Sequence, residues 1–521
     1  MSAVLPNECL QEIFSSLEGD FFTLHSATLV SRTWCKNAMP ILWREPLRRD
    51  PQRTNLYRIV PIFLSFLPPE IKEELQMDNT CIVKLPKHSF YYPSFIRHLD
   101  FNNLILAVTK WIAKYPPISE TSQLYYKRTK KEISVDYVKR NDLVMAILNS
   151  IITISENIEV LMINMGKNLD TIIYDFFKND VAKFFATPET GRRFSRLIHF
   201  ECSGNVSLSG ILSELSKHAR NLVSLSFCQG ENSDDWHEDL ITLIASQSKL
   251  KHLRLEWFKN EDTSRTLSAL FGHINSLERF TMINGIGELE FLTRCSNIEQ
   301  LHFKGQNFTV EQIFPLYFAT FPKLESLQFI SLEDRRGYIN PYIQIFQNTG
   351  VTSNLRNLSL CIRGVPHHSI LLEAISQICH NFTSFTTHIT KSEDGNKILS
   401  ILRNAKNLQR LEILAEDDEV REIFTVSHRQ EAGDLLLEMA KILPNSLRHL
   451  NLTQFEICED IFRCFLQKCE VKLESLIYSS HHSYDSRELF KKVSEEKGWG
   501  MKKIETKRDG YATKISVAWK V

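Results

Sequence analysis

The 521-residue chain has little of what marks the extreme classes of protein. It holds only 18 Gly and 17 Pro, too few for a collagen-like, linker-like or mostly disordered chain. It has no excess of either charge: 62 Lys+Arg meet 62 Asp+Glu. That balance argues against a strongly basic nucleic-acid binder and leaves only local patches to consider. No C-x-x-C pair occurs among the 11 cysteines, which are odd in number and scattered. Reduced, buried thiols in a cytosolic or nuclear protein fit this better than a disulfide framework. Long apolar runs are missing too. The most apolar stretch, residues 143–154, is interrupted by Asn149 and Ser150 and falls short of the ~20 residues of a membrane span. The first eight residues lack a basic segment, and Pro6, Asn7 and Glu8 break any apolar core of a signal peptide. Neither a membrane segment nor secretion is expected.

What is present is core material: 43% of residues are hydrophobic and 10% aromatic. Length alone suggests three or four domains, a division that repeat folds defeat. From about residue 150 one phrase keeps returning, an apolar residue followed by apolar residues three and five places on. It reads Leu197-Phe200-Cys202, Leu222-Leu225-Phe227, Leu250-Leu253-Leu255, Leu277-Phe280-Met282 and Ile298-Leu301-Phe303. It continues as Leu324-Leu327-Phe329, Leu355-Leu358-Leu360, Phe382-Phe385-Thr387, Leu408-Leu411-Ile413, Leu447-Leu450-Leu452 and Leu473-Leu476-Tyr478. Earlier copies stand at Ile158-Leu161-Ile163 and Ile96-Leu99-Phe101. Most steps between copies are 21 to 28 residues, with longer ones of 31 and 39.

The intervening segments 208–219, 236–245, 266–274, 310–321, 370–379, 397–405, 435–443 and 461–469 carry apolar residues at helical spacing. Ser207, Asp234, Thr309 and Ser392 precede several of them as N-caps. Each unit is therefore a strand, a turn and a helix. It buries its apolar face only by stacking on its neighbours. The pattern resembles a leucine-rich-repeat solenoid, implying an α/β fold of curved architecture. The customary Asn or Cys after the last apolar position appears at Asn205 but gives way to Gly230, Phe258, Gly285 and Gln306, so irregular turns and uneven curvature are expected.

The N-terminus is different. Pro6 opens a helix with Cys9, Ile13, Phe14 and Leu17 on one face, Gly19-Asp20 ends it, and Leu24, Ala27, Val30, Trp34 and Ala38 follow at helical spacing before Pro40. This makes a unit of about forty residues, near the lower limit for independent folding. It also carries Leu5, Phe21, Phe22, Ile41, Leu42 and Trp43, more apolar surface than three short helices hide. The order Leu5-Pro6, Glu8, Ile13-Phe14, Leu17, Leu29-Val30-Ser31-Arg32, Trp34, Pro40, Leu42-Trp43 resembles the F-box motif. The resemblance implies docking on the Skp adaptor of a cullin-RING (SCF) ubiquitin ligase, with Leu5, Pro6, Ile13, Leu29, Val30, Ser31, Arg32 and Trp34 forming or supporting the docking surface.

The expected organisation is an F-box at residues 1–45, a mainly helical connector with irregular first repeats at 46–150, and the solenoid at 151–521. Proline-punctuated short helices in the connector would set the angle between the two ends.

Other constellations carry less. Cys458, Cys464, Cys469, His481 and His482 have spacings unlike the short knuckles of structural zinc. No metal or other cofactor is expected. Gly285-Ile286-Gly287 lacks the third glycine of a nucleotide loop, and no G-x-S-x-G, H-E-x-x-H or Walker A sequence occurs, so the chain is expected not to be an enzyme. The basic run at 127–131 and the acidic run at 416–419 read as solvated loops.

The non-apolar positions inside each strand phrase are more informative, because strand alternation turns them to the face opposite the core. Four of the 22 such positions are His, against 17 His in 521 residues. His199, Glu201, His252, Arg254, Arg279, His302, Gln328, Asn357, Arg410 and His449 are the candidate client contacts. An ordinary solvent-facing row would be polar as well, and that alternative stands beside the first. The reading that follows is a non-catalytic substrate receptor, cytoplasmic or nuclear, with a protein client. The alternative is a repeat scaffold whose N-terminal helices only cap the solenoid.

Overall fold

The computed structural model describes residues 5–48, 55–75, 89–114, 137–155, 157–164, 176, 180–204, 209–230, 236–305, 310–333, 340–347, 354–363, 368–378, 380–389, 392–414, 429–456, 459–480, 495–498, 501–509 and 512–519. The chain forms two compact units, Met1–Leu250 and Lys251–Val521.

The first unit opens with three helices, α1 (Asn7–Ser16), α2 (Phe21–Thr28) and α3 (Arg32–Leu42). Asp20 caps α2, its carboxylate accepting from the Thr23 N–H at 3.0 Å, and the Ser31 hydroxyl caps α3 by accepting from the Trp34 N–H at 3.1 Å. Leu10, Phe14, Phe21, Leu24, Ala27, Ala38, Ile41 and Leu42 form one buried cluster. The inward stripe of α1 is Leu10 and Phe14 with Leu17 packed beside them, so of the expected face Phe14 and Leu17 turn inward and Leu10 joins them. Cys9 and Ile13 lie outside. Asn37 fastens the bundle by donating to Asn7 Oδ1 at 3.0 Å. Beyond it Trp43 packs against Tyr92, with centroids 4.4 Å apart and ring planes tilted by 31°, and meets Phe63 edge-on. These aromatics join the bundle to the short helix Val60–Ser65 and the 3-10 turn Tyr92–Phe95.

The strands begin earlier than residue 151. Strand β1 (His98–Asp100) pairs in parallel with β2 (Val160–Asn164), which pairs with β3 (His199–Gly204), which pairs with β4 (Ser224–Gln229). Leu99, Leu161, Phe200 and Leu225 stand in register on the buried face. The second unit repeats the scheme with β5 (His252–Asp262), β6 (Arg279–Ile286), β7 (Gln300–Lys304), β8 (Ser326–Glu333) and β9 (Asn357–Arg363). It continues through β10 (Ser384–Thr387), β11 (Arg410–Ile413), β12 (His449–Glu456) and β13 (Ser475–Ser480), each parallel to the next. Every Leu, Ile, Phe or Met of the strand phrases is buried. An α/β repeat solenoid behind an N-terminal helical motif is the architecture.

One backbone device recurs at the entry to most of the parallel strands. The carbonyl before one strand accepts two N–H groups from the next repeat: Arg97 O takes Glu159 and Val160, Glu278 O takes Glu299 and Gln300, Thr383 O takes Gln409 and Arg410, all at 2.7–3.1 Å. Arg44, just past α3, does the same for Arg97 and His98 at 3.0 and 3.1 Å. The residue just past the helical motif therefore supplies the acceptor for the first rung of the ladder, which pairs the Arg97 and His98 N–H groups at the entry to β1.

The turns are irregular, as the missing asparagines imply. The backs of the repeats range from the 14-residue helix Arg429–Ile442 to 3-10 turns such as Ala269–His273, Glu290–Arg294 and Phe314–Phe318. Gly285 and Gly287 answer to packing: a Cβ there would lie 2.6 Å from Met282 and 2.7 Å from Leu267, respectively. The C-terminal end was not expected from the repeat. Strand β14 (Met501–Asp509) and β15 (Ala512–Trp519) form an antiparallel hairpin, and β15 pairs antiparallel with β13. It covers the edge that the last repeat would otherwise leave open.

Candidate functional site

Two surfaces gather the residues singled out above. The first is the outside of the helical bundle. Leu29 and Val30, in the turn between α2 and α3, are 74% and 61% exposed, and Leu5 and Ile13 are 49% and 46% exposed. Pro6 and Arg32 are exposed as well. Ser31 and Trp34 act differently. The Ser31 oxygen is engaged as the α3 cap, and Trp34 is half-buried with its ring edge-on to Phe14 at 5.4 Å. They hold the surface in shape from beneath.

Phe22, left out of the expected docking set, is 63% exposed. With Phe21, His25, Trp43, Ile59 and Ile62 it lines a cavity of about 690 Å³ on another side of the bundle. Its signal in the sequence was the Phe21-Phe22 doublet, of which a two-turn helix buries only one member.

Charged groups at the foot of the bundle are already matched. Arg44 meets Glu18 at 2.7 Å, and Glu45 meets His98 at 2.5 Å and Arg48 at 3.1 Å. The hydrogen bond from His98 is the main reason the Glu45 carboxyl lies below its ordinary range. Glu18, Glu45 and His98 bring ligand atoms within 4.8 Å of one another, but Arg44 and Arg48 supply the cations these carboxylates need. The zinc-like set fares no better: Cys464 is exposed and Cys469 buried, while Cys458, His481 and His482 lie outside the described residues. Burial pushes the Cys295 thiol up to about 12, so it is an inert core thiol. The basic run at 127–131 and the acidic run at 416–419 also lie outside the described residues.

The second surface is the strand face opposite the core. In the first unit His199 and Glu201 sit on β3 with Nε2 and Oε2 3.7 Å apart, and Asn164 donates to Glu201 at 2.9 Å. In the second unit pairing aligns two rows. One runs His252, Arg279, Gln300, Ser326, Asn357, Ser384, Arg410, His449, Ser475. The other runs Arg254, Thr281, His302, Gln328, Ser359, Thr386, Glu412, Asn451, Ile477. All eight candidate residues of this unit therefore lie in two adjacent ladders.

Their chemistry is uneven. Arg254 bonds Glu256 at 2.7 Å, Arg410 faces Glu412 at 3.4 Å, and Glu278 lies 2.6 Å from Lys251 and 3.8 Å from His252. Burial, with help from neighbouring cations, lowers the pKa of both His252 and His302, which keeps them neutral near pH 7. His302 Nε2 lies 3.1 Å from the Ser326 hydroxyl.

A buried polar cluster escaped the sequence entirely. His368 and His388 lie with ring centroids 4.5 Å apart and planes inclined by 32°, close to Asp394, all buried in the second unit. None occupies a repeat position that marks it.

A helical docking module joined to a leucine-rich-repeat solenoid is a protein-interaction architecture. Residues 2–49 match the F-box-like family, so the bundle is an F-box-like domain. No curated protein matches the chain. Among solved structures, a Bacteroides fragilis protein is similar at 13% identity and TM-score 0.27, over 56% of this chain and 64% of that one. An internalin from Listeria monocytogenes is similar at 14% identity and TM-score 0.25, over 63% and 75% of the two chains. Among the described residues no helix is long and apolar enough to cross a membrane.

Proposed function

We propose that this chain is a substrate receptor of an SCF-type cullin-RING ligase, acting in the cytoplasm or nucleus. Its F-box-like domain docks on the Skp adaptor, and its strand face holds a protein client for ubiquitin transfer by other subunits. The observation that carries the reading is the exposed apolar set Leu5, Ile13, Leu29 and Val30 on a domain of the F-box-like family. Water-exposed apolar side chains clustered on one small module mark a surface built for a partner. The repeats contribute specificity, and proximity contributes the rate. The chain needs no nucleophile of its own.

The test uses residues whose loss leaves the bundle intact. Trp34 is unsuitable, because it packs on Phe14. Leu29→Asp with Val30→Asp, both in an exposed turn, is expected to weaken adaptor binding by more than about 100-fold, with an unchanged melting temperature. Undiminished adaptor binding by this variant, or none by the folded wild-type chain, would favour the solenoid scaffold whose helices serve only as the cap.

A further inference from the structure

We infer that the strand face of the second unit reads an extended, uncharged polar peptide carrying a single carboxylate at one end, and that it does not read a phosphate. This rests on the client-binding reading above and adds the chemical class of the client segment.

The argument is one of which groups are already spent. Arg254 and Arg410 are neutralised by carboxylates two residues along their own strands, Glu256 and Glu412. Between them, the two ladders on β7 to β10 carry Gln300, His302, Ser326, Gln328, Asn357, Ser359, Ser384 and Thr386, with no charged group at any of these positions. His302 is held neutral by burial and occupied by Ser326. Gln300, Gln328, Ser359 and Ser384 are half-buried. Their side chains make no hydrogen bond or ion pair among the described residues.

The face has thus used up its charges internally and kept its neutral donors and acceptors for something else. Half-buried amides and hydroxyls left unpaired when a partner covers them cost binding, so they select a partner that pairs each one. A phosphate needs convergent cations, and across these four strands the two rows offer none. Lys304 stands alone at the far end of β7, two residues beyond His302.

Arg279, on β6 beside this field, breaks the pattern. It is exposed and has no ion-pair partner among the described residues. It provides one point for a carboxylate, and that point fixes register. At roughly 4.8 Å per strand, Arg279 on β6 and Ser384 on β10 lie about 19 Å apart, the length of about six extended residues. The client segment is therefore a stretch of about that length, rich in Ser, Thr, Asn or Gln, crossing the strands with an acidic residue or chain terminus over Arg279.

Three fluorescein-labelled, degenerate 12-residue peptide pools test this by polarisation against the purified full chain. The first is neutral and Ser/Thr/Asn/Gln-rich with one terminal Asp. The second replaces one Ser with phosphoserine, and the third replaces the Asp with Asn. The first pool is expected to bind at least about fivefold more tightly than the second, a difference of about 1 kcal/mol. The third should lose about threefold, and Arg279→Gln should abolish that difference alone. Gln328→Ala with Ser359→Ala should weaken the first pool. Gln328→Lys should improve binding of the phosphoserine pool, a gain that misfolding cannot produce. Equal or tighter phosphoserine binding by the wild type, binding indifferent to the face variants, or no binding of any pool would each overturn the inference. Adaptor binding is measured on the same preparation. Its loss with the pool pattern intact removes the ligase reading and leaves the peptide specificity standing.

Discussion

The two surfaces are built on opposite principles. The F-box-like bundle leaves Leu29 and Val30 largely in water, whereas the strand face of the second unit leaves amides and hydroxyls. An apolar surface gains from burial against any complementary shape, about 25 cal/mol for each Å² removed from water. A neutral polar surface gains little on average and loses sharply when a partner leaves its groups unpaired. Under the proposed function, the first suits a constant partner held by affinity and the second a client chosen by discrimination. The difference also explains why an overall charge balance of 62 to 62 is compatible with selective recognition.

The largest effect that sharpens the contrast is inside the bundle. Phe14→Ala removes the ring that seats both the α1 core and Trp34, and is expected to destabilise the domain by about 4 kcal/mol, losing adaptor binding by unfolding. Urea denaturation followed by tryptophan fluorescence separates this from the Leu29/Val30 variant, which should lose binding while folded. If both variants melted alike, the distinction between core and docking face would collapse.

The next effect belongs to the second unit. Burial, then the neighbouring His388, hold His368 down to about 4, against an ordinary 6.5, with Asp394 opposing them. In the unfolded chain this ring takes up a proton below about pH 6.5, while the folded one resists until about 4. The unfolded state binds more protons in that window, so stability rises with pH across it and is lost on acidification, by an amount of order 3 kcal/mol. His368→Gln should flatten the dependence of the urea midpoint between pH 6.5 and 4. A wild-type midpoint already flat there would show that the buried pair is not what acid attacks.

The smallest effect is at the cap. Ser31→Ala is expected to cost about 1 kcal/mol and to weaken adaptor binding only as far as α3 frays, with Ser31→Asp restoring both. Strong loss of binding by Ser31→Ala at unchanged stability would instead make the hydroxyl a direct contact.

Particular residues show how far the sequence could be read. The strand phrases placed every strand from Leu99 to Leu476, because a buried leucine at fixed intervals is both the pattern and its cause. Of the face expected for α1, Phe14 and Leu17 turn to the core while Cys9 and Ile13 do not. Cys9, Leu10, Ile13 and Phe14 are all apolar, and periodicity cannot choose the inward stripe when the outward one is apolar too. The C-terminal hairpin went unseen because Ile515 and Val517, buried at alternate positions, follow a two-residue period that no repeat phrase contains. His368 and His388 become neighbours only through the stacking of adjacent repeats.

By itself, then, the sequence determined the F-box-like motif, the repeat and its strand register, and the neutrality of the chain, since each is carried by local spacing or by composition. Only the tertiary structure decided which charges are spent and which hydrogen-bonding groups remain. Arg254 finds Glu256 within its own strand, while the side chains of Gln328 and Ser359 find no partner among the described residues, and Arg44 offers its carbonyl to a strand more than fifty residues away. Those outcomes depend on distances between side chains and backbone groups that no spacing along the chain records.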